Sequence, residues 1–177
     1  LATAIGLLAA TGLRVSEALG LDTRDMTSEG LVIRETKFRK TRLVPLHPTA
    51  RTALKGYMRR RAQVRGAGDA LFVNDHGRRP SYVTIYALFL RIGRETGIRG
   101  LPGEKGPRLH DLRHTFAVRS LEACDRDRRA ISRHMLALAT YLGHADPSHT
   151  WWYLQATPTL MRHIADAGEA LMAESMA

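Results

Sequence analysis

A phenol, two guanidiniums, an ammonium and two imidazoles stand in this chain with a spacing that suits one kind of reaction. Tyr153 follows His144 by nine residues, across Ala-Asp-Pro-Ser-His-Thr-Trp-Trp. His144 closes the segment Tyr141-Leu142-Gly143-His144, and His110 stands three residues before Arg113 in His-Asp-Leu-Arg. Arg14 lies in Ala-Thr-Gly-Leu-Arg-Val-Ser-Glu-Ala-Leu, and Lys37 in the basic run Thr36-Lys-Phe-Arg-Lys-Thr-Arg42. Together these groups can break and rejoin a phosphodiester without a metal ion. The charge of a phosphodiester repels nucleophiles, so a catalyst must cover the non-bridging oxygens, supply a nucleophile and protonate the leaving oxygen. Arginine suits the first task, because it stays charged and offers planar, bidentate donors. Arg14 and Arg113 are the candidates. Tyr153 is the candidate nucleophile. Its phenol, with an ordinary pKa of about 10, needs a cationic surrounding to react near neutrality.

Each residue also has a plainer reading. One arginine among 27 lysines and arginines is ordinarily a surface charge. A bare His-x-x-Arg recurs by chance, and His110 would otherwise be read as packing beneath its helix. Trp151, Trp152 and Tyr153 also read as an aromatic core cluster that orients the phenol. His47, His76, His114, His134, His149 and His163 follow no metal-ligand spacing and read as structural or surface groups. Lone Cys124 supports no zinc site. No metal and no cofactor is expected.

The elements that must position these groups follow from periodicity and punctuation. Leu1 to Ala10 is apolar and alanine-rich, as for a buried helix, with Gly12 as its terminating residue. Ser16 is expected to cap a short helix ending near Gly20, so Arg14 sits at a tight junction. Leu31–Glu35 and Leu43–Leu46 read as strands joined through the basic stretch 36–42, with Pro45 suited to an edge. Thr49 is expected to cap a helix to about Val64, with Arg51, Lys55, Arg59 and Arg60 on its polar face. Leu71-Phe-Val reads as a short extended piece, and Asp75–Pro80 as a basic turn. Ser81 caps a helix to about Thr96, stopped by Gly97. After a breaker-rich loop from Gly100 to Pro107, His110 opens a helix to about Ala123. His110 and Arg113, at i and i+3, are expected on one side of it. A further helix runs from about Ala130 to Leu142. Tyr153 is expected on a short helix before Pro158. Leu160, Ile164, Ala167 and Leu171 give a last helix its apolar stripe.

The 177 residues fit a single domain with a real core, and 44% apolar residues fit a folded protein. A net charge of +10 points to a polyanionic partner. No apolar run reaches the roughly 20 residues of a membrane span, and no helix pairs a basic face with a bulky aromatic one. No basic leader precedes the first apolar stretch, and a single cysteine suits a reducing compartment, so a cytoplasmic location is expected. The chain opens on Leu1 instead of Met, as expected for a piece of a longer protein.

In order along the chain, Arg14 in its Thr-Gly-Leu-Arg box, the basic hairpin, His110-Asp-Leu-Arg-His-Thr-Phe-Ala117, Leu142-Gly-His144 and Tyr153 resemble the catalytic domain of the tyrosine recombinases, the phage integrase family. The resemblance runs from Thr11 to about Met161. It implies a mostly helical α+β fold with a small antiparallel sheet, spanning residues 1–177 as one catalytic domain. The family's amino-terminal DNA-clamping domain is expected to be absent from these residues.

The resemblance also implies roles. Tyr153 attacks the phosphodiester and forms a 3′-phosphotyrosyl link, Arg14 and Arg113 hold the phosphate, and Lys37 protonates the departing 5′ oxygen. His110 assists proton transfer, while His144 stabilises the phosphate or positions the tyrosine. Lys37 is placed by counting back from Arg42 in the family's hairpin, where glycines commonly flank the lysine; here Thr36 and Phe38 do, and Lys40 is the rival. Arg39, Lys40 and Arg42 are expected to meet DNA, with a solvated hairpin tip as the alternative for Arg39 and Lys40. The stretch between Arg113 and His144 is longer than in compact members, which implies an added loop or helical turn around Cys124–Arg129. The implied partner is double-stranded DNA, with a homotetramer on paired sites and a monomer without DNA. Type IB topoisomerase-like relaxation and a catalytically silent DNA-binding regulator are the alternatives.

Overall fold

The computed structural model describes residues 1–34, 41–101, 103–124 and 128–144, together with residues 146, 150, 153, 162, 166 and 169. The chain divides into two compact units, Leu1–Phe116 and Ala117–Ala177. Among the described residues no helix is long and apolar enough to cross a membrane.

The first unit is built around α1, Ala2–Thr11, which packs against three other helices. Ala4, Leu7, Leu8 and Thr11 are buried, a spacing that gives one helical face. Gly12 ends the helix in the left-handed region, φ 62° and ψ 17°, and its N–H donates to the Leu8 carbonyl at 2.9 Å. A side chain at such a position strains the backbone by about 1 kcal/mol. Gly12→Ala is therefore expected to lower unfolding stability by about that amount. Gly20→Ala, at a helical position with nothing within 4 Å of the added carbon, is expected to lower it little or not at all. Denaturant melts of the two variants make the comparison.

Helix α2, Val15–Gly20, begins two residues earlier than a cap at Ser16 would dictate. Its N-cap is Arg14, in extended backbone at φ −66° and ψ 147°. The cap comes from the other direction: Glu17 Oε2 accepts the Arg14 N–H at 3.0 Å. Arg14 is thus the hinge residue between α1 and α2, as its flanking residues imply, and Glu17 is what fixes it.

Strands β1, Gly30–Ile33, and β2, Arg42–Pro45, pair antiparallel, with Gly30 opposite Pro45 and Ile33 opposite Arg42. Leu31, Ile33 and Val44 are buried while Leu43 is 46% exposed, the alternation of a sheet with one covered face. By that alternation Arg42 shares the covered face with Val44.

Helix α3, Pro48–Arg61, is capped by His47, not Thr49: His47 Nδ1 accepts from the Thr49 N–H at 3.4 Å, and Pro48 takes the first turn. Arg51 does not simply face water. Its guanidinium donates to the Thr27 and Ser28 carbonyls and ties α3 to the turn before β1. Leu71-Phe-Val is not a strand. These three residues are buried, and the segment is held by the Leu21 carbonyl accepting from Leu71 and by the Tyr57 hydroxyl accepting from Val73. A fully covered piece satisfied by a side chain and a loop carbonyl needs no ladder. Helix α4, Tyr82–Glu95, is capped by Ser81, as its sequence implies.

Helix α5, Leu109–Glu122, starts where Asp111 accepts from the Arg108 N–H at 2.8 Å, and the unit boundary falls within it. In the second unit, Ala117, Val118 and Leu121 of α5 are buried, as are Met135, Leu138, Ala139 and Leu142 of α6, Arg128–Leu142. Ser120 Oγ and His134 Nε2 meet at 3.0 Å between the two helices. Gly143, at φ 66°, ends α6. Arg162, Asp166 and Glu169 are helical and exposed, the spacing of a polar face. The apolar stripe Leu160, Ile164, Ala167 and Leu171 lies outside the described residues, as do residues 125–127 of the expected added turn.

Candidate active site

In the first unit the site grows from the α1–α2 turn. Arg113 is 3% exposed, and its Nη1 donates to the Gly12 carbonyl at 2.7 Å. Gly12 can present that carbonyl because its left-handed backbone turns the peptide out of the α1 ladder. Two residues on, Arg14 emerges with its side chain 35% exposed. One turn of backbone therefore anchors one arginine and carries the other.

Glu17 organises the second half of this cluster. Its Oε1 accepts from Arg14 Nη1 at 2.9 Å and from Arg42 Nη1 at 3.1 Å. Its Oε2 accepts from the Arg14 N–H at 3.0 Å and from Arg42 Nη2 at 2.8 Å. Burial alone would push the Glu17 carboxyl up. The hydrogen bonds from Arg42 and the Arg14 N–H, with the charges of both arginines, outweigh it and hold the carboxyl below its ordinary range. Glu17 thus stays ionised between two guanidiniums. It was not singled out from the sequence. The available signal was its place three residues after Arg14, at the third position of a helix with no other carboxylate in its first turn.

His110 is one helical turn from Arg113, but the two are not equivalent: His110 is exposed and Arg113 is buried. Partial burial of the His110 ring, then the charge of Arg113, holds the imidazole below its ordinary range; Arg108 and Arg14 add to this and Asp111 opposes it. A neutral imidazole of this kind can accept a proton.

Arg42, for which a DNA contact was expected, is largely covered in the described structure. Its side chain is 11% exposed and its two terminal nitrogens are both engaged by Glu17. The core-facing register position of Arg42 on β2 is the physical reason. Lys37, Arg39 and Lys40 lie outside the described residues.

In the second unit, His144 follows the left-handed Gly143 and its N–H donates to the Ala139 carbonyl at 3.0 Å. His144 Nδ1 meets the fully buried Thr150 Oγ1 at 2.7 Å. That contact fixes the ring and sets which nitrogen faces away from Thr150. Tyr153, 6% exposed, lies against the same ring, with centroids 6.2 Å apart and planes 15° from parallel. Thr150 was also missed in the sequence; a hydroxyl three residues before the tyrosine was its only signal. The described geometry thus places the His144 ring between Thr150 and the ring of Tyr153.

A mostly helical α+β fold of this kind is that of the recombinase catalytic domains. The solved XerA recombinase matches with a TM-score of 0.76 at 27% identity, covering 94% of this chain and 55% of that one. XerH, solved on its palindromic difH substrate, matches with a TM-score of 0.72 at 27% identity, over 94% of this chain and 45% of that one. The profile of the phage integrase family matches residues 1–159, and the chain belongs to that family. Among curated relatives, the tyrosine recombinase XerC of Azotobacter vinelandii is 39% identical over 83% of this chain and 45% of its own length. A Sinorhizobium fredii protein named for an integrase/recombinase, y4rB, is 39% identical over 89% of this chain and 52% of its own length. The chain thus spans about half the length of the curated relatives it matches.

Proposed function

We propose that this chain is the catalytic domain of a site-specific DNA recombinase that cleaves and rejoins double-stranded DNA through a 3′-phosphotyrosyl intermediate. The observation that carries the reading is the α1–α2 turn, where Arg113 is hooked to the Gly12 carbonyl two residues before Arg14. This is a compact cationic platform for one phosphate. Family membership of residues 1–159 supports the same chemistry, and XerH was solved on its own DNA substrate.

In this reading Arg14 and Arg113 neutralise the non-bridging oxygens, and Tyr153, oriented by His144, attacks the phosphorus. Lys37 gives its proton to the departing 5′ oxygen, and the neutral His110 moves a proton at the phenol or the phosphate. The phosphotyrosyl ester keeps the energy of the broken bond, so rejoining needs no nucleotide. All 177 residues serve as one catalytic domain, acting in the cytoplasm, monomeric alone and tetrameric on paired DNA sites.

The test is a covalent adduct. The chain is incubated in excess EDTA with a labelled library of nicked random-sequence duplexes and run on a denaturing gel. A DNA-linked band is expected, and the retained duplexes give the preferred site. Binding without any adduct would favour the silent regulator. Adduct formation with supercoil relaxation, but without exchange between two copies of the selected site, would favour a topoisomerase.

A further inference from the structure

A threonine in a helix readily turns its hydroxyl back on its own backbone. Thr11, Thr115 and Thr140 do so, donating to the carbonyls of Leu7, Asp111 and Leu136 at 2.6, 2.8 and 3.0 Å. Thr150 is helical too, but its hydroxyl leaves the backbone and meets His144 Nδ1 at 2.7 Å. Thr150 is fully buried, and among the described residues this ring nitrogen is its one hydrogen-bond partner.

That isolation gives the contact a direction. A hydroxyl carries one hydrogen and two lone pairs. If Nδ1 held the ring proton and donated it, the Thr150 hydrogen would be buried with no acceptor, which costs more than an idle lone pair. If Thr150 donates, Nδ1 is the bare nitrogen, and the neutral ring holds its proton on Nε2. The surroundings of the ring suit a fixed orientation. The His144 N–H donates to the Ala139 carbonyl at 3.0 Å, and the face of the imidazole lies against Tyr153 with planes 15° apart.

We propose that Thr150 is a positioning residue for His144: its hydroxyl donates to Nδ1, sets the orientation of the ring and keeps the neutral ring's proton on Nε2. The effect on cleavage rests on the recombinase reading; the place of the proton does not. A ring in this state can give a hydrogen bond from Nε2 and has no lone pair there to take the phenol proton. Beside Tyr153 the imidazole is then a donor and a support, not the base.

Two measurements on the full chain test this. Nitrogen-15 spectra of histidine-labelled protein, at about pH 8 where an ordinary imidazole is neutral, show which ring nitrogen is bare. His144 is assigned by the signals missing from His144→Ala. A bare Nδ1 and a protonated Nε2 are expected. In Thr150→Val both signals should move toward the averaged values of a ring exchanging between tautomers, and Thr150→Ser should keep the wild-type pair. Adduct formation is then followed in single turnover on a duplex selected by the covalent capture described above. Thr150→Val is expected to slow it by about 10-fold, between the loss of one neutral hydrogen bond and the misplacement of a catalytic group by an ångström. Thr150→Ser should stay within about 3-fold of wild type. In a His144→Ala background, Thr150→Val should add almost nothing, because its effect runs through the ring.

A proton on Nδ1 of the neutral ring overturns the proposal whatever the variants do, as does a His144 spectrum that Thr150→Val leaves unchanged. An equal loss of adduct from Thr150→Val with and without the His144 ring overturns it in favour of packing alone. If Thr150→Val does not fold, Thr150→Ala takes its place in each comparison. A wild-type chain that forms no adduct overturns the recombinase reading, while the spectra still decide where the proton sits; a normal wild-type adduct with an undisturbed Thr150→Val overturns this inference alone.

Discussion

Tyr153→Phe is expected to abolish the covalent adduct while leaving DNA binding within about 2-fold of wild type, because it removes one atom and little else. That atom is the proposed nucleophile, and without it no phosphotyrosyl ester can form. The ring remains, buried at 6% exposure and lying against His144 at 6.2 Å. Loss of one hydroxyl costs about 1 kcal/mol of stability, too little to unfold a domain. Tyr141→Phe is the matched control. It removes a phenolic oxygen from a half-buried site in α6 and should still form the adduct. A persistent adduct in Tyr153→Phe, or its loss in Tyr141→Phe alone, would remove Tyr153 from the chemistry.

The second large effect concerns the proton given to the leaving oxygen. A positioned general acid contributes roughly 100- to 10,000-fold, so Lys37→Ala should slow cleavage of an ordinary duplex by that range. A duplex with sulfur at the bridging 5′ position releases a thiolate, whose conjugate acid has a pKa of about 8.5 and needs little help. Lys37→Ala should therefore regain near wild-type cleavage on that substrate. Arg14→Ala should not, since its proposed task lies on the non-bridging oxygens. Rescue in Lys40→Ala instead would shift the general acid by three positions along the hairpin. Failure of both variants to be rescued would leave proton donation to another group.

Much of the first unit was legible because its punctuation is local. Gly12 as a terminator, Ser81 as a cap and the β1–β2 pair depend on a few neighbouring residues; the first two stand where the sequence implies, and each strand starts one residue earlier than expected. The expected caps at Ser16 and Thr49 failed for a common reason. In both cases a different group already satisfied the free backbone N–H: the Glu17 carboxylate in α2, His47 in α3. Such competition depends on side-chain direction, which residue type does not reveal. Leu71–Val73 has strand-like residues, but its hydrogen-bond partners, Leu21 and Tyr57, come from distant parts of the chain.

The candidate site divides along the same line. Arg14, His110, Arg113, His144 and Tyr153 were singled out because their chemistry and order are distinctive. Glu17, Thr150 and the true setting of Arg42 were not, because a carboxylate, a hydroxyl or one more arginine acquires meaning only through what it touches. Arg42 in particular reads as one basic residue in a basic run. Only its register opposite Ile33 turns it toward the covered face.

The hook between Arg113 and Gly12 has an entropic consequence. A free arginine loses about 0.5–1.5 kcal/mol of rotamer freedom when a ligand immobilises it. Here Arg113 is held by a backbone carbonyl and Arg14 by a carboxylate within the chain's own fold. Their disorder is surrendered when the α1–α2 turn forms and Arg113 of α5 bonds to it, so the proposed phosphate capture draws little on it. A substitution that loosens the α1–α2 turn should thus weaken capture of a small oxyanion, such as vanadate, well before it lowers the melting temperature. In the proposed function, the rigidity of one left-handed glycine sets how cheaply Arg14 and Arg113 would hold a phosphate.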